Sequence, residues 1–559
     1  MEGNLSSLAK VPHHNPAIDI KTVKTFLFQP ETNVDCATEL IITVNNSQDP
    51  RSLQNVLKHK LETTMIEELA WLILGVILVK LVVNHFTANR NLPPGPFPFP
   101  IIGNTYKLAS NSRHVDLMEL EKQYGKVFRL YLGSKLVVVV SGGNALKEVV
   151  VTKSAEFAGR PSFYTTDVLS NGKAIVLADY SLAWRLHRKV ASSALKTYSD
   201  AKLKRGTVIN DEFDLLLNRV RSRNGQPHDI TKEIRLAVMN VICALVFGSR
   251  YELGDPEFTK FMEITNTIAR VVVAGSVVDL FPWLSFIPFT SIKKLKEICQ
   301  ERDELVGRIY REHVQANRID NPQDLTDALL KAKKEAEDED SSVKGFLTDE
   351  NLIMTMSEVF IAGVETTAST LCWALLYLIH NPEVQRMLHQ ELDQVIGPDR
   401  LPELEDEKNL PYLEATIIET LRLSSLVPLS IPHKTTVDTT LQGYSIPKDT
   451  TVLLNLWSLH HDPEIWDKPD AFRPERFLDE EGNFVPPRAD RFLPFSAGRR
   501  VCLGESLARL KLFLVLARLL HSFKFENPPG CDLPTLETVY GIALLPQPFS
   551  VCARSRHAV

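Results

Sequence analysis

The stretch Pro494-Phe495-Ser496-Ala497-Gly498-Arg499-Arg500-Val501-Cys502-Leu503-Gly504-Glu505 constrains the fold more than any other part of the chain. It sets a cysteine in a glycine-punctuated turn, and an apolar, helix-favouring run from Ser506 to Leu520 follows directly. Such a chain brings a helix N-terminus to the sulfur, where unpaired N–H groups and the positive end of the helix dipole favour a thiolate. Gly498 and Gly504 permit a tight turn and close approach of the backbone to a flat ligand. Phe495 can cover the sulfur from water, and Arg500 can neutralise an anionic group at the ligand's edge. Cys243, Cys299 and Cys372 sit in apolar helix-like runs and read as small buried hydrophobes. Cys502 reads as a metal-ligating thiolate.

Leu352 to His380 reads as one long apolar helix with Ala362-Gly363-Val364-Glu365-Thr366-Thr367 in its middle. A carboxylate and two hydroxyls inside a buried helix are costly and need a compensating role. Threonine can bond back to a carbonyl one turn earlier and loosen the ladder, while Ala362 and Gly363 leave room beside the backbone. The result is a notch wide enough for a diatomic gas, with Thr366 facing it and Glu365 able to relay protons.

Phe495-x-x-Gly498-x-Arg500-x-Cys502-x-Gly504 resembles the cysteine-loop signature of the cytochrome P-450 monooxygenases, and the likeness runs from about Leu92 to the C-terminus. It implies a mainly α fold with small β-sheets, holding haem b (iron protoporphyrin IX) with Cys502 as the axial iron ligand. An axial thiolate pushes electron density onto haem iron and favours O–O cleavage. Thr366 and Glu365 are then the expected catalytic pair. The resemblance also implies cofactor-binding roles for Phe495, Gly498, Arg500, Gly504 and Arg160. Trp184 and Arg188, four apart on one helix face, match the family's propionate-binding pair, and His433 is a further propionate candidate or a satisfied surface histidine. Glu419, Arg422 and Arg476 correspond to a structural network that holds the cysteine loop. No Gly-x-Gly-x-x-Gly or Gly-Lys-Ser/Thr loop occurs, so a separate NADPH–cytochrome reductase is expected to deliver electrons.

Within the family, Ala362 to Thr367, Val278 to Leu284, Leu413 to Ile417 and Leu454 to His461 are similar to the steroid 17-alpha-hydroxylase/17,20-lyase group. Ser424 to Pro428 and Thr435 to Gly443 are more similar to the aryl hydrocarbon-oxidising group. The steroid likeness implies a substrate pocket near Ala362, Gly363, Thr265, Asn266 and Arg302. Glu407 and Ile418 replace two proximal arginines on which that group docks cytochrome b5, while Lys153 and Arg509 are kept. Hydroxylation is therefore expected ahead of the 17,20-lyase step. The alternatives are a xenobiotic monooxygenase, a haem-thiolate isomerase, against which Glu365-Thr366 argues, and a non-catalytic haem binder.

By length alone, 559 residues allow three or four domains of ~150 residues, yet no Gly/Ser/Pro-rich linker follows Asn104. Residues 105–559 are expected to form one catalytic unit. A net charge of -6 argues against a nucleic-acid partner, and seven cysteines without paired spacing fit a reduced compartment. Residues 1–64 are polar and balanced in charge, unlike a mitochondrial presequence, and are expected to be a disordered extension. Residues 65–88 read as a single-pass anchor, with Lys80 snorkelling and Trp71 at the interface, and the resemblance to the family's microsomal members implies the endoplasmic reticulum membrane. Residues 89–104 read as a proline-rich hinge, and the same resemblance implies a catalytic unit on the cytoplasmic side. Val127 to Ser141 reads as a β-hairpin around Gly133-Ser134. Asp279 to Phe289 reads as an aromatic segment suited to a lipid interface, and Ala332 to Ser342 as a solvated loop.

Overall fold

The computed structural model describes residues 58–59, 63–76, 79–80, 91–108, 110, 112–203, 207–252, 254–274, 277–339, 345–540 and 543–557. The chain divides into two units, Met1–Arg90 and Asn91–Val559. In the first, 63–76 is helical and exposes Met65, Leu69, Trp71 and Leu72. Residues 79–80 are likewise helical and exposed, while the rest of the expected anchor and nearly all of the expected polar extension lie outside the described residues.

The second unit is mainly α. Its proline-rich start is fastened to the sheet: Arg129 donates its backbone N–H to Pro94 O at 2.8 Å and its guanidinium to Pro93 O. Gly95 is required there, since a Cβ would lie 2.1 Å from Arg129 O. The expected hairpin forms from β1 (Val127–Leu132) and β2 (Lys135–Val140), in register from Val127↔Val140 to Leu132↔Lys135. The turn is made by Gly133 at φ 61°, a left-handed conformation glycine adopts without penalty.

The helices that position the site are α1 (Leu182–Leu203), α2 (Ile230–Phe247), α3 (Pro256–Ala274), α4 (Thr290–Ala316), α5 (Leu325–Glu339) and α6 (Asp349–His380). At the start of α6, Asn351 Oδ1 accepts from the N–H and hydroxyl of Thr348 at 3.0 and 2.9 Å. Asp349 and Glu350 complement the dipole in its first turn, and Asn381-Pro382 stops it. At 32 residues it runs about 48 Å, and Thr367 to Ile379 is buried without a break. Among the described residues this is the helix long and apolar enough to cross a membrane, but 67% of that window is buried in the protein. It is the core helix, and α2 packs along it with an almost wholly buried surface.

Beyond α6 come α7 (Pro411–Ser424), β3 (His433–Lys434), β4 (Thr451–Leu454) and α8 (Glu505–Ser522). The main sheet runs β1-β2-β4-β3, with β2 and β4 parallel. The aromatic segment forms a helical turn, Val277–Leu280, and a 3-10 turn, Pro282–Phe286. Trp283 and Phe286 stay 64% and 77% exposed. The charged run expected as a loop from Ala332 is instead the end of α5, helical through Glu339. Lysine and glutamate are good helix formers, and Leu325 and Leu329 bury the first turns of that helix.

Candidate active site

The cysteine loop closes on itself through the Cys502 N–H, which donates to Phe495 O at 3.0 Å. Gly498 adopts φ 68°, and a Cβ there would stand 1.8 Å from Val150 O. Its need for glycine thus comes from packing against the Glu148–Thr152 turn. Gly504 is the opposite case, because an added Cβ would meet nothing within 4 Å. Phe495 is half-buried with the Arg509 guanidinium 5.1 Å over its ring. Cys502 has an exposed side chain, yet burial is the first cause pushing its thiol up, opposed by the Gly504 N–H, Arg188 and Lys511. The sulfur is thus reachable from outside while its surroundings are apolar enough to disfavour the charged form. The helix terminus alone does not make it a thiolate; a bound metal does.

The sequence-predicted cations converge beside this loop. Arg500 donates to Ala158 O, Ile175 O and Ala178 O at 2.8, 3.1 and 2.8 Å and stacks 3.9 Å from the Trp184 ring centroid. Arg160 donates to Val176 O, Ile431 O and Pro432 O, each at 2.9 Å, and Arg188 to Val501 O. Burial pushes Arg160 well below the usual arginine range, and Arg500 and Arg188 add to that. Burial, then Arg188, takes Arg500 down to about 9, with Asp179 and Glu358 opposing. Trp184 gives its indole N–H to Ile175 O at 2.8 Å, so it serves as a platform for Arg500 and not as a free donor. His433 is 3% exposed and bonds Phe157 O through Nδ1 at 2.8 Å, which excludes the surface-histidine alternative. A cluster of three guanidinium groups, in which Arg188 depresses both Arg160 and Arg500, suits the two carboxylates of a porphyrin. With the soft sulfur of Cys502 for iron and open backbone at Gly504 for a flat macrocycle, the residues present fit haem b.

In α6, Ala362 is exposed and Gly363, Glu365 and Thr366 are half-buried, whereas the thirteen residues that follow are buried. Thr366 Oγ1 donates to Ala362 O at 2.6 Å, the back-bond expected of the notch. Glu365 pairs with Arg235 of α2, which also donates to Asn266 Oδ1 at 3.4 Å. Sequence reasoning missed Arg235, because its partner lies 130 residues away on another helix. It also missed Glu358, which accepts from the Ile175 and Val176 N–H groups at 2.6 and 2.9 Å and which burial raises to about 7. Of the other pocket candidates, Thr265 is buried and donates to Phe261 O of its own helix at 3.0 Å. Arg302 is buried and donates to Leu169 O at 2.9 Å and Asp303 Oδ1 at 2.9 Å. The side chains of Thr265 and Arg302 are thus committed to protein partners.

Behind the loop, Glu419 accepts from Arg422 Nε and Nη2 at 2.7 and 2.9 Å and from Arg476 Nε at 3.0 Å. Arg422 also donates to His460 O at 2.7 Å, and His460 Nε2 accepts from the Leu493 N–H at 3.0 Å. The network therefore reaches the residue before Pro494, where the cysteine loop begins.

A family model, cytochrome P-450, matches residues 93–553. The steroid 17-alpha-hydroxylase/17,20 lyase of Ictalurus punctatus is 42% identical over 86% of this chain and 95% of its own length. That of Gallus gallus is 43% identical over 84% and 92%. Cytochrome P-450 2U1 of Rattus norvegicus is 38% identical over 83% and 91%. A solved zebrafish cytochrome P-450 with abiraterone aligns with TM-score 0.69 at 38% identity, covering 79% of this chain and 100% of that one.

Proposed function

The chain belongs to the cytochrome P-450 family, and from that premise we propose that it is a haem-thiolate monooxygenase hydroxylating a steroid at the 17-alpha position. The observation that carries the substrate class is 41–43% identity to steroid 17-alpha-hydroxylase/17,20 lyases that this chain covers over 92–98% of their length. When bound, haem b supplies the redox-active iron at which dioxygen is activated with electrons from NADPH–cytochrome reductase.

The chain's own residues do the rest. Cys502 would hold the iron through sulfur, and Phe495 and the loop glycines shape the turn that presents it. Arg160, Arg188 and Arg500 would receive the haem carboxylates, with Trp184 and His433 fixing their surroundings. Ala362, exposed, keeps one side of α6 low for gas and substrate, whereas Gly363 lets α2 approach, since a Cβ there would lie 2.8 Å from Ile242 Cδ1. Thr366 holds a proton at Oγ1 beside that gap, and the Glu365 carboxylate, held by Arg235, passes protons to it. Asn266 joins this set through Arg235, while Thr265 and Arg302 support the wall from behind. Glu419, Arg422 and Arg476 keep the loop in place.

Residues 65–88 anchor the protein in the endoplasmic reticulum membrane by one pass, residues 89–104 are the hinge, and 105–559 form the cytoplasmic catalytic domain. Exposed Trp283 and Phe286 give a second contact with lipid. Hydroxylation stands ahead of the 17,20-lyase step and of any dependence on cytochrome b5, because Glu407 and Ile418 occupy positions where docking arginines are expected. Ile418 is 1% exposed, and Glu407 lies against Glu414, whose carboxyl burial and that neighbour raise to about 8. Reconstitution with reductase, NADPH and progestogens is expected to yield 17-hydroxy product. Turnover of alkoxyresorufins or polycyclic aromatics without steroid product would assign the chain to xenobiotic oxidation, and NADPH-independent turnover of fatty hydroperoxides to isomerisation.

A further inference from the structure

An irregular segment, Lys173 to Asp179, runs between α6 and the guanidinium cluster, and its backbone groups divide between the two. Toward the cations it turns carbonyls: Ile175 O accepts from Arg500 Nη1 at 3.1 Å and Trp184 Nε1 at 2.8 Å, Val176 O from Arg160 Nε at 2.9 Å, and Ala178 O from Arg500 Nη2 at 2.8 Å. Toward α6 it turns N–H groups, Ile175 to Glu358 Oε2 at 2.6 Å and Val176 to Glu358 Oε1 at 2.9 Å. Asn351, two turns earlier on α6, adds a bond from Nδ2 to Lys173 O at 3.2 Å.

The C=O of Ile175 and the N–H of Val176 belong to one planar peptide group. The Glu358 carboxylate and the Arg500 guanidinium therefore lie at opposite ends of a single peptide dipole, and each polarises it in the sense the other needs. Turned over, that peptide would set its carbonyl against the carboxylate and its N–H against two donors. Of the five N–H donors of a guanidinium, Arg500 commits three, to Ala158 O, Ile175 O and Ala178 O. One is left on each terminal nitrogen, a fork that fits a carboxylate. Glu358, Ala362 and Thr366 recur at i, i+4 and i+8 of α6, so the face that carries the notch also carries this clamp. Arg302 and Arg500 favour the charged form of Glu358 against its burial.

We propose that Glu358 is a positioning residue for the haem-binding guanidinium cluster: its carboxylate fixes the sense of the Ile175–Val176 peptide and, through it, aims the free fork of Arg500. It ties the helix that carries the notch to the cations that hold the macrocycle's edge. The inference rests on the haem-thiolate reading and is independent of which substrate is hydroxylated.

The test compares the wild-type holoprotein with Glu358→Gln and Glu358→Leu. Glu358→Gln keeps the shape and one acceptor oxygen, but it removes the charge and sets an NH2 group against a backbone N–H. Four readouts are taken: amide hydrogen exchange over residues 173–179, the haem-carboxylate bending bands in resonance Raman, haem transfer to excess apomyoglobin, and thermal unfolding. Glu358→Gln is expected to speed exchange in that segment and haem transfer each on the order of tenfold, the scale of one lost charge-assisted hydrogen bond, and to displace the carboxylate bands. Glu358→Leu is expected to do all three to a greater extent. Unchanged exchange and bands in both variants would overturn the proposal. So would faster haem transfer that follows a lower unfolding temperature while the bands stay at their wild-type positions, since Glu358 would then support the fold alone. A wild-type holoprotein without the thiolate spectrum under carbon monoxide would instead overturn the haem-thiolate reading, and the exchange comparison would still report on the clamp.

Discussion

At Gly498 a single side-chain carbon would collide with Val150 O in a backbone conformation that L-residues rarely adopt. Gly498→Ala should therefore lose haem from the folded protein, read as a fall in haem per polypeptide, whereas Gly504→Ala should keep its fold. The sequence pattern pointed to both glycines but could not separate them, since spacing does not reveal what a Cβ would meet. Arg235 shows the converse. An arginine on an amphipathic helix carries no signal of its own, and only the packing of α2 on α6 brings it to Glu365. Arg235→Leu should lower steroid turnover on the order of 10²-fold, the scale of a general acid–base contribution. Peroxide release per NADPH should rise, and the pH dependence of turnover should change. A KM effect with unchanged kcat and peroxide yield would assign Arg235 to binding instead.

Between elements, charges buried by packing carry the architecture. Glu419 and Arg422 are 0% exposed, and removing one partner leaves the other uncompensated. Glu419→Gln should cost about 3–5 kcal/mol in thermal unfolding, with haem loss alongside. His313 of α4 joins Asp324 at the start of α5 at 2.7 Å. Burial lowers its proton affinity but the Asp324 carboxylate outweighs that, so its folded pKa stands above 6.5. The folded chain then holds the proton more tightly than the unfolded one, and the stabilisation is complete below pH 6.5 and lost as pH rises through the raised value. The destabilisation caused by His313→Gln should accordingly be larger at pH 6 than at pH 9. His313, Asp324 and Asp327 bring ligand atoms within 4.8 Å of one another, and the Arg318 Nε 3.0 Å from Asp327 supplies the cation of that group. At this scale the sequence was legible where periodicity was long, as in α6, and misleading in α5. There the density of Lys and Glu suggested a loop, although those residues favour a helix once Leu325 and Leu329 anchor it.

For the whole molecule, the mainly α fold and the site were readable because the cysteine loop and the α6 hexad each break a rule of economical packing. A solvent-reachable sulfur and polar groups in a core helix are each costly unless they serve a function. The network behind the loop was readable as a trio, but its relay through His460 to Leu493 was not, since backbone contacts leave no trace in residue types. The measurement that tests the central claim most directly is the absorption spectrum of the reduced holoprotein under carbon monoxide, for wild type and Cys502→Ala. The account predicts the red-displaced band of thiolate coordination in the wild type and its disappearance in Cys502→Ala. A wild type lacking that band, or a variant retaining it, would contradict the account.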